Sequence, residues 1–132
     1  MSMGKIVMTL LLLTISLESF FHLVDKETKT LVKDSYNLKK TKRAVLLENS
    51  GNATIDYSLQ VSIYDGSYVL SGKEMGNTFI VDNNHGVTSL DSNSITLKWI
   101  SDDTLLIAYD KKLRTFSQER FVNNVTILYR PK

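Results

Sequence analysis

Nine consecutive positions carry the clearest pattern in the chain. Ile55, Tyr57, Leu59, Val61 and Ile63 alternate with Asp56, Ser58, Gln60 and Ser62. A period of two predicts a strand with its apolar face on the core and its polar face in water. A second pattern runs from Ile95 to Tyr109. Ile95, Leu97 and Trp99 alternate with Thr96 and Lys98, and beyond Ser101-Asp102-Asp103 the apolar positions resume at Leu105, Ile107 and Tyr109. The Ser and Asp side chains can bond their own backbone and favour a turn. The prediction is a β-hairpin with Trp99 at the heart of its buried face.

Shorter patterns fill the remainder. Ala44 to Glu48 reads as a strand ended by the turn Asn49-Ser50-Gly51-Asn52, and Thr78 to Val81 as another ended by Asp82-Asn83-Asn84-His85-Gly86. Ser67 to Asn77 reads as a loop. Arg114 to Val122 reads as a strand of poor alternation, with an amphipathic helix as the alternative. Asn123-Asn124 predicts a tight type I′ turn, whose two central residues take positive φ, before Val125, Ile127 and Tyr129 close the pattern. About seven short strands between turn signals predict an all-β fold, a small, mostly antiparallel sandwich or open barrel.

The amino-terminal stretch breaks this texture. Ile6 to Leu17 is an apolar run interrupted only by Thr and Ser, after a start carrying one Lys. As a helix it spans ~18 Å, short of the ~30 Å of a bilayer core. The prediction is a signal peptide or N-terminal membrane anchor over residues 1–24, with membrane association through residues 6–24. A polar, basic linker is expected over residues 25–43, an edge strand being the alternative, and the β domain over residues 44–132.

Composition narrows the chemistry. With 42% hydrophobic and 23% charged residues the chain is of ordinary globular type. The net charge of +2 hides an uneven distribution, because the linker segment holds the basic surplus and the β domain is slightly acidic. That argues against a nucleic-acid partner. No cysteine is present, which excludes disulfides, thiolate metal sites and cysteine nucleophiles.

His85 is one of two histidines, and the other lies in the leader. Asp82, Asn84 and His85 form the one cluster with ligand chemistry and are the candidate ligand-binding residues. A zinc site needs more histidines or other ligands than these, and Gly86 and the following acids miss the calcium-loop spacing, so neither metal nor cofactor is expected. A triad drafted from Ser62, His85 and Asp82 lacks a nucleophile elbow, and no catalytic residue is assigned.

Three blocks together resemble a widespread bacterial domain family of unknown function, often found behind a signal or lipoprotein leader. They are Ser50-Gly51-Asn52-Ala53-Thr54 leading to Gln60-Val61-Ser62-Ile63; Gly76-Asn77-Thr78-Phe79 leading to Asp82 and His85-Gly86; and Trp99 through Asp103-Thr104-Leu105, Ile107-Ala108-Tyr109, Arg114 and Phe116 to Ile127 and Tyr129. The resemblance implies fold and export and carries no mechanism. The expectation is an exported domain (periplasmic, extracellular or membrane-anchored) that binds or supports a protein or other component of the bacterial envelope without catalysis. The alternatives are a small hydrolase around His85 and Asp82, and an inhibitor or immunity-type partner of another exported protein.

Overall fold

The computed structural model describes residues 29–50 and 57–132. The expected leader, residues 1–24, lies outside them. So do residues 25–28 of the expected linker, and residues 51–56, which include Gly51 to Thr54 of the first family-like block and the start of the alternating pattern.

The described chain is all-β: β1 (Lys29–Tyr36), β2 (Lys42–Asn49), β3 (Ser58–Asp65), β4 (Phe79–Asp82), β5 (Ile95–Ser101), β6 (Thr104–Tyr109), β7 (Arg114–Gln118), β8 (Phe121–Val122) and β9 (Val125–Pro131). They build two sheets, ordered β1-β2-β3-β4-β7 and β5-β6-β9-β8. All pairings are antiparallel except β6 with β9. Leu46, Leu59, Val61, Ile63, Phe79 and Val81 of the first sheet meet Ile95, Leu105, Ile107, Val125 and Ile127 of the second in one core. Each such side chain contributes roughly 1.5–3 kcal/mol relative to exposure. Phe79, Tyr109 and Tyr129 interlock at one end of it, with ring centroids 5.0, 5.2 and 6.3 Å apart.

The hairpin of β5 and β6 has the predicted register, with Ile95 opposite Tyr109, Leu97 opposite Ile107 and Trp99 opposite Leu105. Asn123 and Asn124 take φ of 51° and 63° in the β8–β9 turn, as a type I′ turn requires.

Four expectations are corrected. The segment read as a linker supplies β1, which pairs with β2 from Lys29 opposite Asn49 to Tyr36 opposite Arg43. The β domain therefore begins no later than Lys29, and the edge-strand alternative holds. Residues Arg114 to Val122 form two strands in different sheets, with β7 on β4 and β8 on β9. A chain that changes sheets has no single inward face, which is why its alternation reads poorly. Trp99 is half-buried and packs against the core from its margin. Its indole polarity accounts for this, because Nε1–H donates to the Ser35 carbonyl at 3.0 Å.

The fourth correction concerns β3. Its polar face is dry: Ser58, Gln60 and Ser62 are buried. The segment from Gly66 to Asn77 folds across this face and bonds Gln60 and Ser62, while the Gln60 carboxamide nitrogen donates to Ser58 Oγ at 3.0 Å. The Gln60 carboxamide oxygen accepts the Gly76 amide at 2.8 Å, and Ser62 Oγ accepts the Asn77 amide at 3.0 Å. A Cβ at Gly76 would stand 2.8 Å from that of Gln60, so only glycine permits this approach. Polar side chains under a loop need such partners, since an unpaired one costs about 1–3 kcal/mol.

Candidate functional site

The Asp82–His85 corner begins where β4 ends. Asp82 lies opposite Arg114 of β7, so the two side chains leave the sheet on the same face. The Asp82 carboxylate, 3% exposed, is gripped by that guanidinium. Arg114 Nε lies 3.2 Å from each carboxylate oxygen, and Nη2 also donates to Oδ2. Oδ1 further accepts the Asn84 amide at 2.8 Å. Burial pushes the Asp82 carboxyl up, but these donors and the charge of Arg114 outweigh it and hold it below the usual carboxylate range.

The corner then makes a left-handed turn. Asn84, His85 and Gly86 take φ of 51°, 55° and 83°, a conformation that costs roughly 1–2 kcal/mol per non-glycine residue. Backbone bonds from Val87 to Asn84 and from Thr88 to Asn83 hold it. The Asn84 carboxamide turns away and donates to the Lys112 carbonyl at 3.2 Å. His85 is exposed, with Nε2 2.8 Å from Arg114 Nη1. Arg114 also lies over the Phe116 ring at 4.7 Å.

The three sequence candidates are thus adjacent but do not converge on a common point. Asp82 and His85 meet through Arg114, while Asn84 is spent on the backbone. Sequence reasoning left Arg114 and Phe116 out of the site, although both belong to the third family-like block. Their separation of some thirty residues is closed only by the β4–β7 pairing. Chemically, the corner is an ion pair braced by a loop. The carboxylate that would orient His85 in acid–base work is already held by Arg114. Ser62 Oγ is buried and bonded to Met75 and Asn77, so the drafted triad is not assembled. Among the described residues no three His, Asp or Glu side chains converge as a metal cage.

A second feature comes from comparing the outer faces of the two sheets. Loop 66–77 covers the middle of that face on the five-stranded sheet, over Gln60 and Ser62 of β3, and is locked by polar contacts, while Phe116 of β7 stays exposed. Arg43 donates to both Asp34 carboxylate oxygens, at 3.1 and 2.6 Å, and to the Tyr68 carbonyl at 2.6 Å. Buried Glu74 accepts the amides of Ser71 and Gly72. On the four-stranded sheet, Leu106 lies opposite Leu128 across the parallel pair, and Phe121 lies beside Thr126 on the same face. Ile100 sits at the bulge between Trp99 and Ser101 and is exposed as well. Leu128 is 47% exposed, Ile100 53% and Phe121 65%. No described segment covers them.

No family model, curated protein or solved structure matches this chain.

Proposed function

We propose that the protein is an exported or membrane-anchored β-sandwich of the bacterial envelope that binds a protein partner and performs no catalysis. The observation that carries this reading is the asymmetry of the outer faces. Loop 66–77 lies over the middle of the five-stranded sheet with its buried side-chain polar groups bonded, although Val69, Met75 and Phe116 stay exposed on that side. The outer face of the four-stranded sheet instead presents Leu106, Phe121 and Leu128 side by side under no described segment. Apolar groups gathered on one face of a small domain are a binding surface before they are anything else. Export rests on the apolar run Ile6 to Leu17 and on the family resemblance of the three sequence blocks. Of the alternatives, an inhibitor or immunity-type role belongs to the same class. A hydrolase around His85 and Asp82 fits less well, because Arg114 occupies the carboxylate.

Cell fractionation with in-cell photocrosslinking tests the reading. The full-length protein should be recovered outside the cytoplasm, and a crosslinker replacing Leu128 should capture one discrete envelope protein. A crosslinker at exposed Thr30, on the far edge strand β1, should not capture it. Freely soluble full-length protein in the cytoplasm, or identical products from both positions, would overturn it.

A further inference from the structure

The two edges of β9 are treated differently. One pairs with β6 along its whole length, from Thr126 opposite Thr104 to Pro131 opposite Tyr109. The other meets β8 only at Val125 and Thr126, with one more bond from the Ile127 amide to the Arg120 carbonyl at 2.9 Å. From Leu128 to Pro131 that edge borders no strand. The amides of Thr126 and Lys132 donate towards β6, to Asp103 and Tyr109. By the alternation of a parallel ladder, Tyr129 therefore turns its amide and carbonyl to the open edge.

A groove of about 480 Å³ runs along this edge, lined by Tyr109, Gln118, Arg120, Leu128, Tyr129 and Pro131 among others. Its floor is fixed, since the Tyr129 hydroxyl bonds to the carbonyls of Thr78 and Glu119. Its ends are fixed too. β8 fills the ladder on one side, and Pro131, which has no amide to donate, closes it on the other. Arg120 lines it and Arg130 follows Tyr129 on β9, both exposed, and neither has an ion-pair partner among the described residues.

We propose that this open edge is a docking slot for a short extended segment of a partner protein, added as a strand beside Leu128–Pro131, with acidic side chains towards Arg120 and Arg130. Edge addition supplies affinity through backbone bonds and selectivity through alternate side chains. The slot admits about four residues, roughly 13 Å of strand. Side chains on one face of the guest meet Tyr109 and Tyr129, and those on the other meet the cations, so the segment should alternate apolar and acidic residues. The inference rests on the binding reading above and specifies a surface beside, but separate from, the apolar face.

The test uses full-length, isotope-labelled protein and the blocked peptide Ac-Glu-Val-Glu-Val-Glu-NH2. Amide shifts should concentrate at Leu128–Pro131 and Gln118–Arg120. Arg120→Glu, an exposed change that spares the fold, should weaken binding about tenfold. So should Lys in place of Glu in the peptide, and N-methylation of its alternate amides should abolish binding. Shifts confined to Ile100, Leu106 and Phe121 would overturn the slot while leaving the binding reading standing. A folded protein that ignores the peptide, or binds the Lys peptide equally well, would also overturn it. So would concentration-dependent dimerisation that blocks the groove, since the occupant would then be a second copy.

Discussion

The indole Nε1–H of Trp99 donates to the backbone carbonyl of Ser35 at 3.0 Å, joining edge strand β5 of one sheet to edge strand β1 of the other. Lys33 makes a second such link, its ammonium donating to the Ile95 carbonyl at 2.6 Å. One side of the sandwich is therefore closed by side chains reaching across, where a barrel would have a backbone ladder.

Trp99 substitutions should separate packing from this bond. Trp99→Phe keeps an aromatic ring but leaves the Ser35 carbonyl without its donor, at a cost of about 1 kcal/mol. Trp99→Ala also loses the half-buried ring and should cost about 3 kcal/mol, the low end for large aromatics. Lys98→Ala, on the opposite face, should be silent. Urea midpoints measure all three. Iodide should partly quench the fluorescence of this single Trp; complete protection would contradict its marginal position.

Asn77 replaces a missing piece of strand. The β3–β4 ladder stops at Val61 opposite Phe79. Two positions on, the Asn77 carboxamide accepts the Ile63 amide at 2.9 Å and donates to the Ile63 carbonyl at 3.0 Å. Asn77→Ala should cost about 1–2 kcal/mol, because the Ile63 amide loses its acceptor, while the Ile63 carbonyl keeps the Asn123 carboxamide at 2.6 Å. Asn77→Asp should cost at least as much, because a carboxylate cannot donate to a carbonyl. If Asp proves as stable as Asn by denaturant titration, the two-way bond is not what holds this corner.

The strand set was legible where each strand keeps one face inward. The β5–β6 hairpin shows this, because Leu97 and Lys98 differ sharply and a period of two survives. It failed where tertiary context chooses the face. Gln60 and Ser62 look like a solvated face, and nothing local announces that Gly76 and Asn77 will cover them. β1 was hidden for a related reason: an edge strand with Lys29, Lys33 and Asp34 has the composition of a linker, since charges guard edges. At the candidate corner, sequence adjacency exposed Asp82 and His85. Arg114 needed the β4–β7 register to appear beside them.

The Asp82–Arg114 pair should be asymmetric under mutation. Arg114→Ala leaves a buried carboxylate without its main partner and should cost about 2–3 kcal/mol, below the figure for a fully buried pair because water reaches the site. Asp82→Ala removes that charge and should cost less. The double change should cost less than the sum, by about 1 kcal/mol of coupling. His85→Ala should stay within about 0.5 kcal/mol, as exposed positions do. Thermal melts of the four variants decide this, and strict additivity would show the pair to be incidental.

Acid should unfold the protein through two carboxyls in particular. Burial pushes Glu74 up, but the Ser71 and Gly72 amides outweigh it and hold it below the usual range, as Arg114 and the Asn84 amide do for Asp82. A carboxyl depressed in the folded state adds stability that is fully present above its unfolded value, about 3.9 for Asp and about 4.3 for Glu. That stability is lost as pH falls through the lower folded value. Stability of the wild type should therefore be level from pH 7 to about 5 and decline below about 4. Glu74→Gln cannot accept both amides as a carboxylate does, so it should be less stable at pH 7, with the gap closing towards pH 3 once the wild-type carboxyl is protonated. Asp82→Asn should converge in the same way, because the Arg114 bond depends on a negative charge. Urea titrations at pH 3 to 7 measure this, and variant curves running parallel to the wild type over the whole range would show that neither carboxyl carries the acid response.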